Sequence, residues 1–295
     1  MLKYSNFAIV ASFFGLWVDS FLSPQIQLWI GFMLIFSFGI LHGANDLTLI
    51  KNLGAKKIVP KYWKVLLSYV VLVFAGAALF YFVPAIALSL FVLVSGYHFG
   101  EQQWNHQLQI EIAWVKSVYE MVYGLLILFL LFTFHAIEVQ KVILAISTIN
   151  IALPYFLLVL KILILLFIGF SLFLYFRIKE FKNYFFTELF YLLVFAILFK
   201  VSSLIWAFAL YFIFWHSIPS IMDQIRFLFG KATFDNFKVY FRSAFVYWIV
   251  SLAGIFLLYF IFQGEKIFNA LFFSFLASIT FPHVLVVQKM FGRNK

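Results

Sequence analysis

Long apolar runs, parted by short charged breaks, dominate this chain. They fall at 5–20, 26–49, 63–83, 84–104, 113–134, 148–176, 184–200, 202–222, 240–262 and 267–288. The hydrocarbon core of a bilayer takes about 20 apolar residues of helix, so each run predicts one membrane crossing. The expected fold is all-α, a polytopic integral membrane bundle of about ten transmembrane helices forming a single transmembrane domain over residues 1–295. Pro84 falls between two runs, where its missing N–H does least harm. The stretch 136–176 holds Glu138, Lys141, Pro154 and Lys161. It reads either as an interfacial helix followed by one span or as two spans.

Composition agrees with this pattern and removes other classes. Of 295 residues, 65% are hydrophobic and 11% charged, with a mean hydropathy of +1.06. A soluble domain is about half apolar and about a quarter charged. The net charge of +10 would point to nucleic acid in a soluble protein, but cytoplasmic loops of membrane proteins collect Lys and Arg. With the N-terminus inside, 17 of the 21 basic residues fall in cytoplasmic connections, Lys116 among them. This predicts an inner (cytoplasmic) membrane protein with both termini in the cytoplasm and no nucleic-acid partner. An even number of crossings follows, with 136–176 counted as one. The N-terminal run Phe7–Val18 has no small-residue cleavage pattern after it and is expected to be a first span, not a signal peptide. There is no cysteine, which excludes disulfides, thiolate catalysis and cysteine-ligated clusters. The 44 phenylalanines fit either a pocket for a long conjugated ligand or simple usage bias.

Four of the six histidines lie inside these runs: His42, His98, His216 and His283. Ionisable groups are expensive in lipid and tend to mark function there. In the predicted topology all four spans run from outside to inside, and each histidine is about 14 to 16 residues from its span start. At about 1.5 Å of rise per residue this puts the four imidazoles at a common depth, as a site that could close around one ion. His42 and Asp46 are four apart on one helical face, and His98 and Glu101 are three apart. A ligating histidine usually gives its other N–H to a carboxylate or carbonyl, so Asp46 and Glu101 are candidate supports. Gly39, Gly43, Gly96 and Gly100 flank His42 and His98 and would let helices approach closely. His106 and His135 fall in or near connections and read as solvated, Asp19 and Asp223 as interfacial. Trp104, Trp215 and Trp248 fit either an aromatic belt or a pocket. Imidazoles suit iron, copper, zinc or nickel.

The segments HGANDL at 42–47, YHFGEQ at 97–102, FWHS at 214–217 and TFPH at 280–283 resemble the motifs of the Brp/Blh family of membrane β-carotene 15,15′-dioxygenases, in order over nearly the whole chain. The resemblance implies Fe(2+)-dependent cleavage of the central double bond of β-carotene by O₂, giving two all-trans retinal molecules, and a link to a microbial rhodopsin. It implies His42, His98 and His216 as iron ligands. Family members often carry a further histidine four residues after that of the HS element; this chain has Ser220 there, and its depth puts His283 forward as the fourth ligand. Three other classes compete: an intramembrane metal or proton transporter, a bis-histidine haem protein, and a non-catalytic accessory protein for carotenoid or rhodopsin assembly.

Overall fold

The computed structural model describes residues 2–54, 62–105, 107, 112–261 and 265–293. Every regular element among them is helical. The helices are α1 (Leu2–Asp19), α2 (Pro24–Leu34), α3 (Ile40–Gly43), α4 (Asp46–Gly54), α5 (Tyr62–Phe82), α6 (Pro84–Trp104) and α7 (Ala113–Phe134). There follow α8 (Ala136–Ser147), α9 (Pro154–Arg177), α10 (Lys179–Val201), α11 (Leu204–Tyr211), α12 (Ile218–Phe229), α13 (Phe234–Ile261) and α14 (Glu265–Arg293). π-helical turns join α2 to α3 (Ile35–Gly39) and α11 to α12 (Phe212–Ser217).

Each of the ten apolar runs is thus mainly helical over its described residues. Among the described residues seven helices are long and apolar enough to cross a membrane: Pro24–Leu53, Ala113–Phe134, Pro154–Arg177, Lys179–Val201, Leu204–Phe229, Phe234–Leu257 and Ser274–Gly292, with a shorter apolar helix at Leu66–Phe82. The chain is a multi-pass helical membrane protein. α6 falls outside the seven because Ser95, His98 and Glu101 dilute its apolar run. The stretch 136–176 resolves into the short α8 and the long α9, parted by a break in which Thr148 takes a left-handed φ of 59°. The run at 202–222 continues to Phe229, where Gly230, at φ 81°, ends the helix in a conformation that suits glycine.

The chain forms two compact units, each drawn from separate stretches. The first comprises Met1–Ile35, Val92–Lys141 and Asn150–His216. Here α6 and α7 meet backbone to backbone at glycines. A Cβ on Gly124 would collide with the Gly96 carbonyl, and one on Gly100 with the Glu120 carbonyl. Small residues permit such an approach in lipid, where no hydrophobic force drives helices together. α1 is bound to α11 and the following π turn by Trp206 Nε1 donating to the Gly15 carbonyl (3.1 Å), Trp215 Nε1 to Ser12 Oγ (2.9 Å) and Tyr4 Oη to the Phe214 carbonyl (2.6 Å). Trp104 packs in a fully buried aromatic cluster with Tyr119, Tyr123 and Phe181. Lys116, assigned from sequence to a cytoplasmic connection, is buried, with its ammonium 3.5 Å from Glu120 and 3.4 Å from Asn105 Oδ1. His135 is likewise buried rather than solvated, packed at the end of α7; His106 lies outside the described residues.

The second unit comprises Phe36–Phe91, Val142–Ile149 and Ser217–Lys295. α5 and α14 pack closely where a Cβ on Gly76 would come within 3.0 Å of Ser278 Cα. Leu41, Ile221, Ile225, Tyr240 and Ala244 form one buried cluster; Leu49, Val286, Val287, Met290 and Phe291 form another. The predicted span 26–49 breaks after Gly43. At this turn the Asn45 carbonyl still accepts from Leu49 N–H (3.0 Å), and its side chain ties the turn to α13 by donating to the Tyr240 carbonyl (2.8 Å) and accepting from Ser243 Oγ (2.7 Å). Trp248 Nε1 donates to the Ser37 carbonyl in the first π turn (2.9 Å).

Candidate metal centre

In the first unit, His98 on α6 and His216 in the second π turn face one another, with ring centroids 4.7 Å apart and planes at 79°. Both are buried. Phe212 stacks on His216 at 5.3 Å and 13°, and Phe99 meets the same ring edge-on at 4.6 Å. The π turn matters locally: an extra residue per turn re-aims the side chains after it, and such turns are frequent at functional sites. α10 braces both carriers. Its buried Glu188 accepts from Gln103 Nε2 on α6 at 2.9 and 3.0 Å and from Tyr123 Oη on α7 at 2.7 Å. Its Tyr191 and Phe195 pack against Trp215 at 5.0 and 4.8 Å.

In the second unit, His42 at the end of α3 and His283 on α14 form the same kind of pair, 4.7 Å between centroids at 83°. His283 Nδ1 lies 2.8 Å from Asp46 Oδ1, and Tyr69 Oη donates to Asp46 Oδ2 at 2.8 Å. A carboxylate only accepts, so the proton sits on Nδ1 and the ring presents Nε2 as its basic nitrogen. Pro282, immediately before His283, lacks the N–H that would close the helical bond to Ser278. The backbone at His42 is held by Gln224, whose Nε2 donates to the His42 carbonyl (2.8 Å) and to Ser220 Oγ (3.2 Å), while Tyr240 Oη donates to Gln224 Oε1 (2.7 Å).

The donors of each pair fit a first-row transition metal. Each unit offers two buried imidazoles, suited to iron, zinc, copper or nickel, and the second adds a carboxylate behind His283. Histidine–metal bonds are about 2.1 Å long, which places two rings sharing an ion at roughly 90–109° with centroids about 4.5–5.2 Å apart. Both pairs, at 4.7 Å, are within that span.

Of the residues singled out in the sequence, the structure brings His98 to His216, His42 to His283, and Asp46 to His283. Glu101 is buried and accepts from Tyr97 Oη at 3.3 Å. Ser220 is fully buried and bonded to Gln224. Asp19 and Asp223 are buried against neighbouring side chains, Asp223 paired to the half-exposed Arg226 at 2.8 Å. Tyr69, Gln224 and Tyr240 were missed. The only local mark of this network is Gln224, a polar residue just past the apolar run 202–222.

A family model described as beta-carotene 15,15′-dioxygenase matches residues 33–291, a stretch that contains all four histidines. No curated protein and no solved structure matches the chain.

Proposed function

The chain belongs to the beta-carotene 15,15′-dioxygenase family, and from that premise we propose that it cleaves the central double bond of β-carotene with O₂ to give two all-trans retinal molecules, using Fe(2+) held by His42, His98, His216 and His283. The reaction balances without an external reductant: the C=C bond is broken and each oxygen atom of O₂ ends in one aldehyde. Bound iron supplies the activation of dioxygen, which the protein's own side chains lack.

The chain's residues do the rest. Four imidazoles provide neutral donors and leave the metal's charge uncompensated by first ligands, so Asp46 behind His283 balances part of it and fixes that ring's tautomer. Phe99 and Phe212 line the His98–His216 pair and exclude water, which would otherwise compete with dioxygen and a polyene. β-Carotene dissolves in the bilayer, which accounts for a buried site in a chain of membrane helices. A substrate dissolved in lipid would enter from the bilayer and be held by aromatic side chains such as Phe99 and Phe212. The basic residues of the connections favour an inner-membrane location with both termini cytoplasmic, and retinal as product favours a microbial rhodopsin as its user.

The family match carries this reading, and buried imidazole pairs at ligand-sharing distance support it. Expression in a β-carotene-producing host with iron supplied tests it. The expected result is loss of carotene colour with retinal detected by chromatography. Unchanged carotene beside folded protein would instead favour the accessory reading, which draws on Ser220 standing where a histidine is common. Metal flux without retinal would favour a transporter.

A further inference from the structure

We infer that Tyr69 is a positioning residue for His283, acting through Asp46. The inference rests on the proposed role of His283 as an iron ligand and adds a residue and a task to it. Three helices contribute to one line of hydrogen bonds. Tyr69 on α5 donates its phenolic O–H to Asp46 Oδ2, and Asp46 on α4 accepts the His283 Nδ1–H of α14 on Oδ1, both at 2.8 Å. The two carboxylate oxygens are therefore divided between the two partners. Bonded on one oxygen alone, a carboxylate can turn about its χ2 axis and lose alignment with the imidazole; χ2 of aspartate is a broad torsion with little intrinsic preference. Bonded on both, its plane is set, and with it the direction in which His283 presents Nε2.

The placement of Tyr69 supports this role over one of packing alone. A tyrosine in a lipid-exposed helix commonly keeps its hydroxyl at the polar boundary. The Tyr69 hydroxyl turns to a carboxylate that is itself 1% exposed. α5 can bring it there because Gly76, two turns on, lets α5 lie against α14 at Ser278, about a turn before His283. The same helix pairing therefore sets both ends of the relay.

The test uses the full-length protein in detergent, loaded with Fe(II) under anaerobic conditions, and reads iron retained against increasing chelator alongside the melting temperature of the metal-free protein. Partners behind a metal ligand are worth about 10–100-fold in metal affinity. Tyr69→Phe, which keeps the ring and removes one hydroxyl, is expected to give up iron at about tenfold lower chelator, and Asp46→Asn at lower chelator still, with the metal-free melting temperature of Tyr69→Phe close to that of the unaltered protein. Iron retention in Tyr69→Phe equal to the unaltered protein, while His283→Ala loses iron, would overturn the inference and leave the ligand assignment standing. Loss of iron accompanied by a matching fall in metal-free melting would also overturn it, since that is the mark of packing. Retention of iron in His283→Ala would remove His283 from the ligands and this inference with it.

Discussion

Gly100→Ala is a one-carbon change whose effect follows from the contact of α6 with α7. The added Cβ would overlap the Glu120 carbonyl oxygen, lie 2.5 Å from its carbon and 3.0 Å from its Cα. Ordinary carbon–carbon contact begins at about 3.5 Å, so the helices must part by about 1 Å. The obstacle is backbone on a helix, with no rotamer to turn aside. Overpacking of this kind costs about 1–3 kcal/mol, occasionally more. The same displacement carries His98, two residues earlier, away from His216. Gly169→Ala and Gly254→Ala serve as controls, since nothing lies within 4 Å of a Cβ at either position and alanine is the better helix former. Thermal unfolding in detergent and iron content per chain form the assay. Gly100→Ala is expected to melt several degrees lower and to bind less iron, while both controls match or exceed the unaltered protein. A Gly100→Ala protein as stable and as iron-replete as its controls would refute the claim that this approach positions His98.

Other changes probe neighbouring features. Lys116→Met removes the ammonium 3.5 Å from the buried Glu120 carboxylate and, as the breaking of a buried ion pair from one side, is expected to destabilise by about 3–5 kcal/mol; the double change with Glu120→Leu should recover much of that in the same melting assay. Tyr123→Phe removes a hydrogen bond to the buried Glu188 carboxylate and should cost about 1.5–3 kcal/mol by melting. Gln224→Leu removes the 2.8 Å donor to the His42 carbonyl and the 2.7 Å acceptor of the Tyr240 hydroxyl, leaving that hydroxyl only its 3.5 Å contacts with the Leu41 and His42 carbonyls, and is expected to lower melting by the equivalent of about 1–3 kcal/mol in all. Activity assays on Ser220→Ala, which removes only the acceptor of the weaker Gln224 bond, should show retinal formation close to the unaltered protein.

Much of this architecture can be read from the sequence because lipid enforces it. Apolar runs of the right length become helices since no other open structure satisfies its backbone in a bilayer, and a histidine within such a run stands out by its cost. Which histidine meets which is another matter. The pairing of His98 with His216 and of His42 with His283 depends on helix order in space and on two π turns, for which the residues 35–39 and 212–217 carry no local signature. Lys116 misleads because a basic residue at a span edge normally faces water, and only the fold supplies Glu120 and Asn105 around it. Tyr69 is hidden for the opposite reason: an aromatic in an apolar run is unremarked until the carboxylate it reaches is known. Asp46 was singled out by its spacing from His42, yet the histidine it bonds is His283, 237 residues away.

The most direct measurement titrates iron into the purified, metal-free protein and follows retinal formed from β-carotene under O₂. Retinal production should rise linearly with iron and saturate at a fixed stoichiometry, with two retinals formed per carotene consumed, and His42→Ala, His98→Ala, His216→Ala and His283→Ala should each bind less iron and form no retinal. Retinal formation independent of iron, or full activity and iron binding in any one of the four alanine proteins, would contradict a four-histidine iron centre.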